Sequence, residues 1–144
     1  MNAAEREQRH QDCLERINEV QRVVGRGDRM RVDHEGTLLE RARLMGEEIR
    51  SHQATEAGLD ALDRLLQVAE DRSHPQACGV AEFIAAVRNN QPLPLGTLRV
   101  LGPELGDQVL AVLDAFRYGR FNLIEQVDGG PARVARVLDA WQAA

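Results

Sequence analysis

Two histidine–cysteine pairs are the residues of this chain best suited to bind a metal ion. His10 lies three residues before Cys13, and His74 lies four residues before Cys78. Two helix faces could together offer the four nitrogen and sulfur ligands that zinc prefers. Neither pair has the CxxC spacing typical of zinc fingers, and single cysteines on apolar helix faces are usually small buried residues. We expect buried cysteines, exposed histidines at helix ends, and neither a metal ion nor a cofactor.

Catalytic nucleophiles are also poorly placed. Serine occurs only at Ser51 and Ser73, and neither stands in the glycine-flanked turn that exposes a nucleophilic serine. Adjacent acids such as Glu47 and Glu48 are typical of a solvated helix face rather than of an acid–base pair. The sequence therefore predicts that the protein is not an enzyme.

The basic residues exclude every site that depends on a lysine, because all eighteen are arginines and the chain has no lysine. A P-loop lysine, a Schiff-base lysine and a kinase ATP lysine are thus absent. The segment Gly25–Arg29, which reads GRGDR, offers backbone amides and arginines to a phosphate. It lacks the lysine and the preceding strand of a P-loop, and we interpret it as a flexible charged hinge.

The charge balance disfavours nucleic acid as a partner. The net charge is −5, with ten arginines and eleven acids in residues 1–52 and eight and twelve in residues 53–144. Neither part has the basic excess that binding to a phosphate backbone requires. The apolar runs are far too short to span a membrane, and no signal-peptide pattern opens the chain. We expect a cytoplasmic protein with free thiols and no membrane partner.

Residues 1–54 predict a charged helical hairpin, which we call the arm. One amphipathic helix is predicted over residues 2–24, with Leu14 and Ile17 on its apolar face. A second helix starts between residues 28 and 37. It carries a narrow heptad stripe that we call the seam: Leu38, Ala42, Met45 and Ile49. Such thin apolar faces cannot stabilise a hairpin alone, so the arm must pack on the rest of the chain or on a second copy.

Residues 55–144 predict a globular module built as a compact orthogonal bundle of about four helices. All five aromatic residues lie in this part of the chain, and aromatic side chains contribute the largest burial energies to a core. No sustained alternation of polar and apolar residues indicates a sheet. The sequence therefore predicts an all-α fold with an arm followed by a module.

Turn and cap residues divide the module into helices. Thr55 is predicted to cap a helix that runs to Asp71, and the next helix follows Pro75 and ends at Asn89–Asn90. The dipeptide Gly102–Pro103 opens another helix, and a final one starts at the glycines before Pro131. Five residues of the helix after Pro103 are predicted to face inward: Leu105, Val109, Val112, Leu113 and Phe116.

Four runs in the module are familiar: LDALDRLLQVA, VAEFIAAVRN, LGDQVLAVLDAFRYG and VARVLDAW. Over residues 57–142 the chain resembles an uncharacterised family of small helical proteins, a domain of unknown function from proteobacterial plasmids, phages and integrated elements. The resemblance implies a gene carried by mobile DNA. It supplies no active-site residues.

Protein recognition is the function class that these observations favour. Arginines of the arm suit bidentate contacts with carboxylates, and an apolar loop around residues 92–95 invites a partner. We expect a homodimer whose arms contribute the interface, and a partner protein of unknown identity. The candidate interface residues are Leu14, Ile17, Arg22, Arg26, Arg29, Leu38, Met45, Ile49, Leu93 and Leu95.

Two biological roles fit this expectation. The implied mobile-element setting favours a counter-defence inhibitor, similar in action to an anti-CRISPR protein, that binds a subunit of a host complex. The alternative is a DNA-associated regulator or a partition accessory protein whose arm arginines contact phosphates. A steep salt dependence of nucleic-acid binding would separate the second role from the first.

Overall fold

The chain is almost entirely helical, and the all-α prediction is confirmed. The computed structural model describes residues 1–142, so the last two residues of the predicted module lie outside it. The contacts divide the chain into a first unit, Met1–Gln53, and a second unit that begins at Ala54. The described helices and strands are α1 (Ala3–Ile17), β1 (Val23–Val24), β2 (Arg31–Val32), α2 (His34–Glu70), α3 (Ala77–Asn89), α4 (Gly96–Tyr118), α5 (Leu123–Gln126) and α6 (Gly130–Gln142).

Helix α1 begins at a capping box. The Asn2 side chain accepts a hydrogen bond from the backbone of Glu5 at 2.8 Å, and the Glu5 carboxylate accepts one from the backbone of Asn2 at 3.2 Å. This arrangement satisfies two of the amides that a helix start leaves without partners.

Helix α1 ends at Ile17, so the prediction that it continues to residue 24 is wrong. Val23 pairs with Val32 and Val24 with Arg31 in a two-residue antiparallel ladder. Valine loses side-chain freedom in a helix and packs well in a strand. Val23 and Val24 therefore form part of this ladder instead of extending the helix. A short 3₁₀ turn, Gly27–Arg29, lies between the two strands.

Helix α2 runs without a break through Thr55, so the prediction that Thr55 caps a new helix is wrong. No proline interrupts this stretch, and the side chain of Thr55 is buried. The Thr55 hydroxyl has no hydrogen-bond partner. Threonine favours a cap only where its hydroxyl accepts a free backbone N–H, and a continuous helix offers none.

The second unit contains the main hydrophobic core, in which α3 packs against α4 and α6, and α5 packs against α6. The indole of Trp141 donates a hydrogen bond to the Ala69 carbonyl at 2.8 Å and so connects α6 to α2. The side chains buried deepest in this unit are Leu62, Leu65, Leu66, Val80, Phe83, Ile84, Val109, Val112 and Val134.

The predicted helix ends of the second unit are confirmed where glycine, proline or asparagine marks them. Asn90 ends α3 in the left-handed region, with φ of 54°. Gly102 has φ of 82° and interrupts α4, and Pro103 opens the straight segment that follows. Gly119 ends α4. Asn90 and Gly102 have positive φ values, which most residues adopt only at a cost, whereas a Cβ atom at Gly119 would overlap the Ala115 carbonyl oxygen.

Two residues of α4 that the sequence placed in the core lie at the surface. Val109 and Val112 are fully buried as predicted and Leu105 is half-buried, but Leu113 and Phe116 are exposed. The inward face of α4 is completed by Ala115, where the helix meets Gly58 of α2 so closely that a Cβ atom at Gly58 would overlap that of Ala115. This close approach fixes which face of α4 is buried.

Candidate functional site

The seam on α2 is largely open to solvent. Leu38 is 65% exposed and Ile49 is 38% exposed, while Met45 is half-buried. Leu39, which the sequence analysis did not single out, is 67% exposed beside the seam. A stripe of apolar side chains on one helix surface is the kind of feature that binds another helix or an apolar groove.

The apolar residues of α1 are placed differently from those of the seam. Ile17 is buried and Leu14 is half-buried. Ile17 therefore belongs to the interior of the protein, and of the predicted interface residues on α1 only Leu14 retains accessible surface.

The contact between α1 and α2 within the first unit is polar. His10 Nδ1 lies 3.0 Å from Glu48 Oε1, and His52 Nε2 lies 2.8 Å from Glu7 Oε2. The two imidazole rings stack between these carboxylates. The pKa of Glu7 lies below its ordinary value because its carboxylate accepts hydrogen bonds from Gln11 and then from His52. This cluster connects the two helices through hydrogen bonds and ring stacking.

This polar cluster corrects the expected environments of the histidines and cysteines. His10 is buried, not exposed. Cys13 is half-buried and Cys78 is exposed, so neither thiol is a core residue. The Nδ1 atom of His74 accepts the backbone N–H of Gln76 at 3.0 Å. Among residues 1–142, no group of three or more histidine, cysteine or acidic side chains has an arrangement that could hold a metal ion.

The predicted interface arginines of the first unit lie on the loop between α1 and α2. The side chains of Arg22, Arg26 and Arg29 are exposed. The Arg22 backbone N–H donates to Thr37 Oγ1 at 2.9 Å, and Arg41 Nε donates to the Val20 carbonyl at 2.9 Å. The loop is thus attached to α2 by hydrogen bonds while its guanidinium groups remain accessible.

The loop before α4 presents one of its two predicted residues. Leu95 is 83% exposed, whereas Leu93 is partly buried against the core of the second unit. The loop therefore offers one of its two leucines, together with the exposed prolines Pro92 and Pro94.

A second apolar surface, which sequence reasoning missed, lies on α4. We call it the α4 face: Gly106, Leu110, Leu113, Phe116 and Arg117. Its three apolar members are between 44% and 55% exposed. Arg117 donates to Asp114 at 3.0 Å and lies over the ring of Tyr118. Beside this face lies an open groove of about 350 Å³, whose lining includes Gly102, Gly106, Leu98 and Leu110.

Arg133 forms the most extensive ion-pair cluster described in the second unit. It donates to Asp63 at 2.6 Å and to Glu70 at 2.6 Å, and also to the Asp128 carbonyl at 2.9 Å. Burial alone would lower the pKa of Arg133, but the hydrogen bonds from its guanidinium to Glu70 and Asp63 raise it. This cluster connects α6 to α2 and so stabilises the bundle.

Taken together, these features define an all-α protein with two exposed apolar helix surfaces. The model of a family of unknown function, DUF7673, matches residues 59–142. The chain therefore belongs to this family, and the predicted resemblance to an uncharacterised domain over residues 57–142 is confirmed for that segment. No curated protein and no solved structure matches the chain. No described helix is long and apolar enough to cross a membrane.

Proposed function

We propose that this protein is a non-enzymatic protein-binding module and that its first unit binds the partner. The observation that carries the proposal is the exposure of the seam, with Leu38 at 65% and Ile49 at 38%. Apolar side chains repeat there at helical spacing on one helix, as in the helix-in-groove mode of recognition. Burying them against a partner would provide the main favourable free energy of binding.

The surroundings of the seam support a protein partner. Gly46 lies one turn from Ala42, and a Cβ atom built on it would meet nothing within 4 Å. Glycine within a helix costs about 0.5–1 kcal/mol relative to alanine, and no packing within this chain requires it there. A flat surface at residue 46 would let a partner approach the helix backbone closely.

The exposed arginines suggest the chemistry of the partner surface. Arg22, Arg26 and Arg29 extend from the loop of the same unit. Arginine is enriched at protein interfaces and binds carboxylates through two parallel hydrogen bonds. We therefore propose a partner that combines an apolar helix or groove with acidic residues at its edge.

The family resemblance gives this module a setting. We propose that the gene belongs to mobile DNA and that the protein acts in the host cytoplasm. There it would bind a subunit of a defence complex, in the manner of an anti-CRISPR inhibitor. The mechanism would be occlusion of that subunit's own interface, which requires affinity and shape but no catalysis.

A DNA-associated regulator or partition accessory protein is the second candidate. Three exposed arginines within one loop are the observation that favours it. Binding to phosphates would fall steeply with salt, and Arg26→Ala or Arg29→Ala would each reduce that salt dependence by about one counterion. Fluorescence anisotropy with labelled duplex DNA at several salt concentrations tests this candidate.

Substitutions on the seam and away from it test the leading proposal. The purified chain is immobilised and exposed to host extract, and captured proteins are quantified by mass spectrometry for the wild type, for Leu38→Glu with Ile49→Glu, and for Val100→Glu. Val100 is a control because it is as exposed as Leu38, at 68%, and lies in the second unit, away from the seam. We expect the seam variant to lose a specific partner that the control variant retains.

The same variants examined alone in sedimentation velocity show whether that partner is a second copy. A change in oligomeric state only for the seam variant would make the arm the homodimer contact. Equal capture by all three proteins would overturn the proposed role of the seam.

A further inference from the structure

We propose that two copies of this protein pair through the α4 face, with their α4 helices antiparallel. This inference goes beyond the partner binding proposed for the first unit, because it concerns the second unit and a different occupant. It moves the homodimer contact from the arm, where the sequence suggested it, to a surface that only the structure shows.

Gly106 indicates that something from outside the chain approaches this surface. It lies within α4, where glycine is less favourable for the helix than alanine. A Cβ atom at Gly106 would meet nothing within 4 Å, whereas one at Gly58 would overlap Ala115. The fold itself therefore explains the glycine at residue 58 but not the one at residue 106. A second helix packed closely against α4 would explain it.

The spacing of the α4 face fits a symmetric helix pair. Gly106, Leu110, Leu113 and Arg117 are separated by four, three and four residues, which is the spacing of a coiled-coil stripe. A two-fold axis between Leu110 and Leu113 would place each of these leucines against the other one of the second copy. The same axis places Arg117 of one copy opposite Gly106 of the other. The longest side chain of the face therefore meets the glycine, which has no side chain.

The groove beside the face gives room for an inserted side chain. Its volume is about 350 Å³, and Gly102 and Gly106 are among its lining residues. Antiparallel pairing brings Arg117 of one copy level with Gly106 and Asp107, which line the groove of the second copy. The contact is isologous, since each copy offers both the arginine and the groove.

Charge selects the antiparallel orientation. Asp107 borders the groove near the start of the straight segment, and Arg117 lies at its end. Antiparallel packing brings Asp107 of one copy beside Arg117 of the other, twice across the axis. Parallel packing would set Arg117 against Arg117, which is repulsive, and would leave Asp107 without a partner across the contact. The guanidinium has enough donors to bind this second carboxylate while it keeps Asp114.

A first experiment measures association of the full chain by sedimentation equilibrium. We expect the wild type to dimerise and Leu110→Glu with Leu113→Glu to be monomeric at concentrations where the wild type is a dimer. Far-UV circular dichroism of the variant shows whether it is folded, because both leucines are exposed in the monomer. A wild-type chain that stays monomeric throughout the micromolar range would overturn the proposal.

A charge swap tests the orientation and distinguishes pairing from misfolding. Asp107→Arg alone and Arg117→Asp alone should each weaken the dimer at least about tenfold, because each sets like charges together. The double variant, and a mixture of the two single variants, should both recover the association, since opposite charges then face each other at both contacts. Failure of both combinations to recover it would exclude the antiparallel α4 pair.

The glycine gives a third, independent readout. Gly106→Leu should prevent pairing by blocking close approach, while Gly46→Ala, a helical glycine equally without neighbours, should leave pairing unchanged. Unchanged pairing in Gly106→Leu would overturn the proposal. Seam substitutions that abolish partner capture but leave this dimer intact would separate the two proposals.

Discussion

The imidazole rings of His10 and His52 stack with their centroids 4.0 Å apart and their planes 5° from parallel. Each ring also contacts a carboxylate, Glu48 for His10 and Glu7 for His52. The four side chains form a continuous polar row between α1 and α2. The pair of His10 and Glu48 is buried, whereas the Glu7 carboxylate is exposed. A buried polar contact requires one geometry to be satisfied, so His10 and Glu48 define how the two helices of the first unit pair.

Removing the carboxylate at Glu48 should destabilise this pairing. Glu48→Ala leaves His10 Nδ1 without its acceptor in a buried site, and we expect a loss of about 1–3 kcal/mol in the free energy of unfolding. Glu48→Gln keeps an oxygen acceptor and should lose less. Urea unfolding followed by circular dichroism at 222 nm measures both. An alanine variant as stable as the glutamine variant would show that this contact contributes nothing.

The acid dependence of stability should include a contribution from Glu7. Its pKa is lower in the folded chain than its ordinary value of 4.5, so the unfolded chain binds a proton more readily than the folded chain. The stabilising contribution is complete above about pH 4.5 and is lost as the pH falls through the lowered folded pKa. Glu7→Gln should therefore lose less stability on acidification than the wild type does.

The control for this measurement is Glu15→Gln, an exposed substitution on the same helix. Thermal unfolding midpoints recorded between about pH 3 and pH 6 compare the three proteins. The same acid dependence in Glu7→Gln and the wild type would contradict the assignment.

Arg133 should be the most important cation for the stability of the second unit. Arg133→Ala removes its hydrogen bonds to Asp63 and Glu70 and leaves two carboxylates close together without a cation, at a cost of about 1–3 kcal/mol. Arg136→Ala is the matched control, because this exposed arginine lies on the same helix, and its effect should stay within about 0.5 kcal/mol. Equal unfolding midpoints in urea for the two variants would contradict the prediction.

The close approach of α2 and α4 at Gly58 can be tested by adding a methyl group at residue 58 and removing one at residue 115. Gly58→Ala should cost about 1–3 kcal/mol, since the new Cβ atom overlaps that of Ala115. Ala115→Gly creates the needed space, and the double variant should be more stable than Gly58→Ala alone. Chemical unfolding of the four proteins gives the coupling free energy. A coupling of zero would mean that the two residues do not meet.

The sequence predicted helices best where a residue with special backbone geometry marks an end. Gly102 acts through its positive φ and Pro103 through its ring, and Gly119 leaves no room for a Cβ atom beside the Ala115 carbonyl. The first two effects are local, so the sequence alone indicates them. The prediction for Thr55 is wrong because a threonine caps a helix only if the residues before it are not themselves helical. No local sequence pattern decides whether they are. The early end of α1 is not predicted because Val23 and Val24 pair with residues nine and seven positions further along the chain.

The surfaces were only partly predictable. The spacing of Leu38, Met45 and Ile49 indicated a seam, and those residues do lie along one side of α2. The α4 face was assigned to the core because Leu113 and Phe116 follow Val109 at helical spacing. What turns them outward is the small residue Ala115 packed on Gly58, and small residues carry no hydrophobic signal in a sequence. Gly106, an unexplained glycine inside a helical pattern, was the one available indication.

The hydrogen bond from Trp141 to the Ala69 carbonyl has a practical consequence. This indole is the single tryptophan of the chain, and the guanidinium of Arg72 lies 5.0 Å from its ring centroid. Its fluorescence therefore reports the separation of the last helix from its neighbour without any added dye. Emission spectra and circular dichroism recorded on the same denaturant series would give different midpoints if the two parts of the chain melt separately.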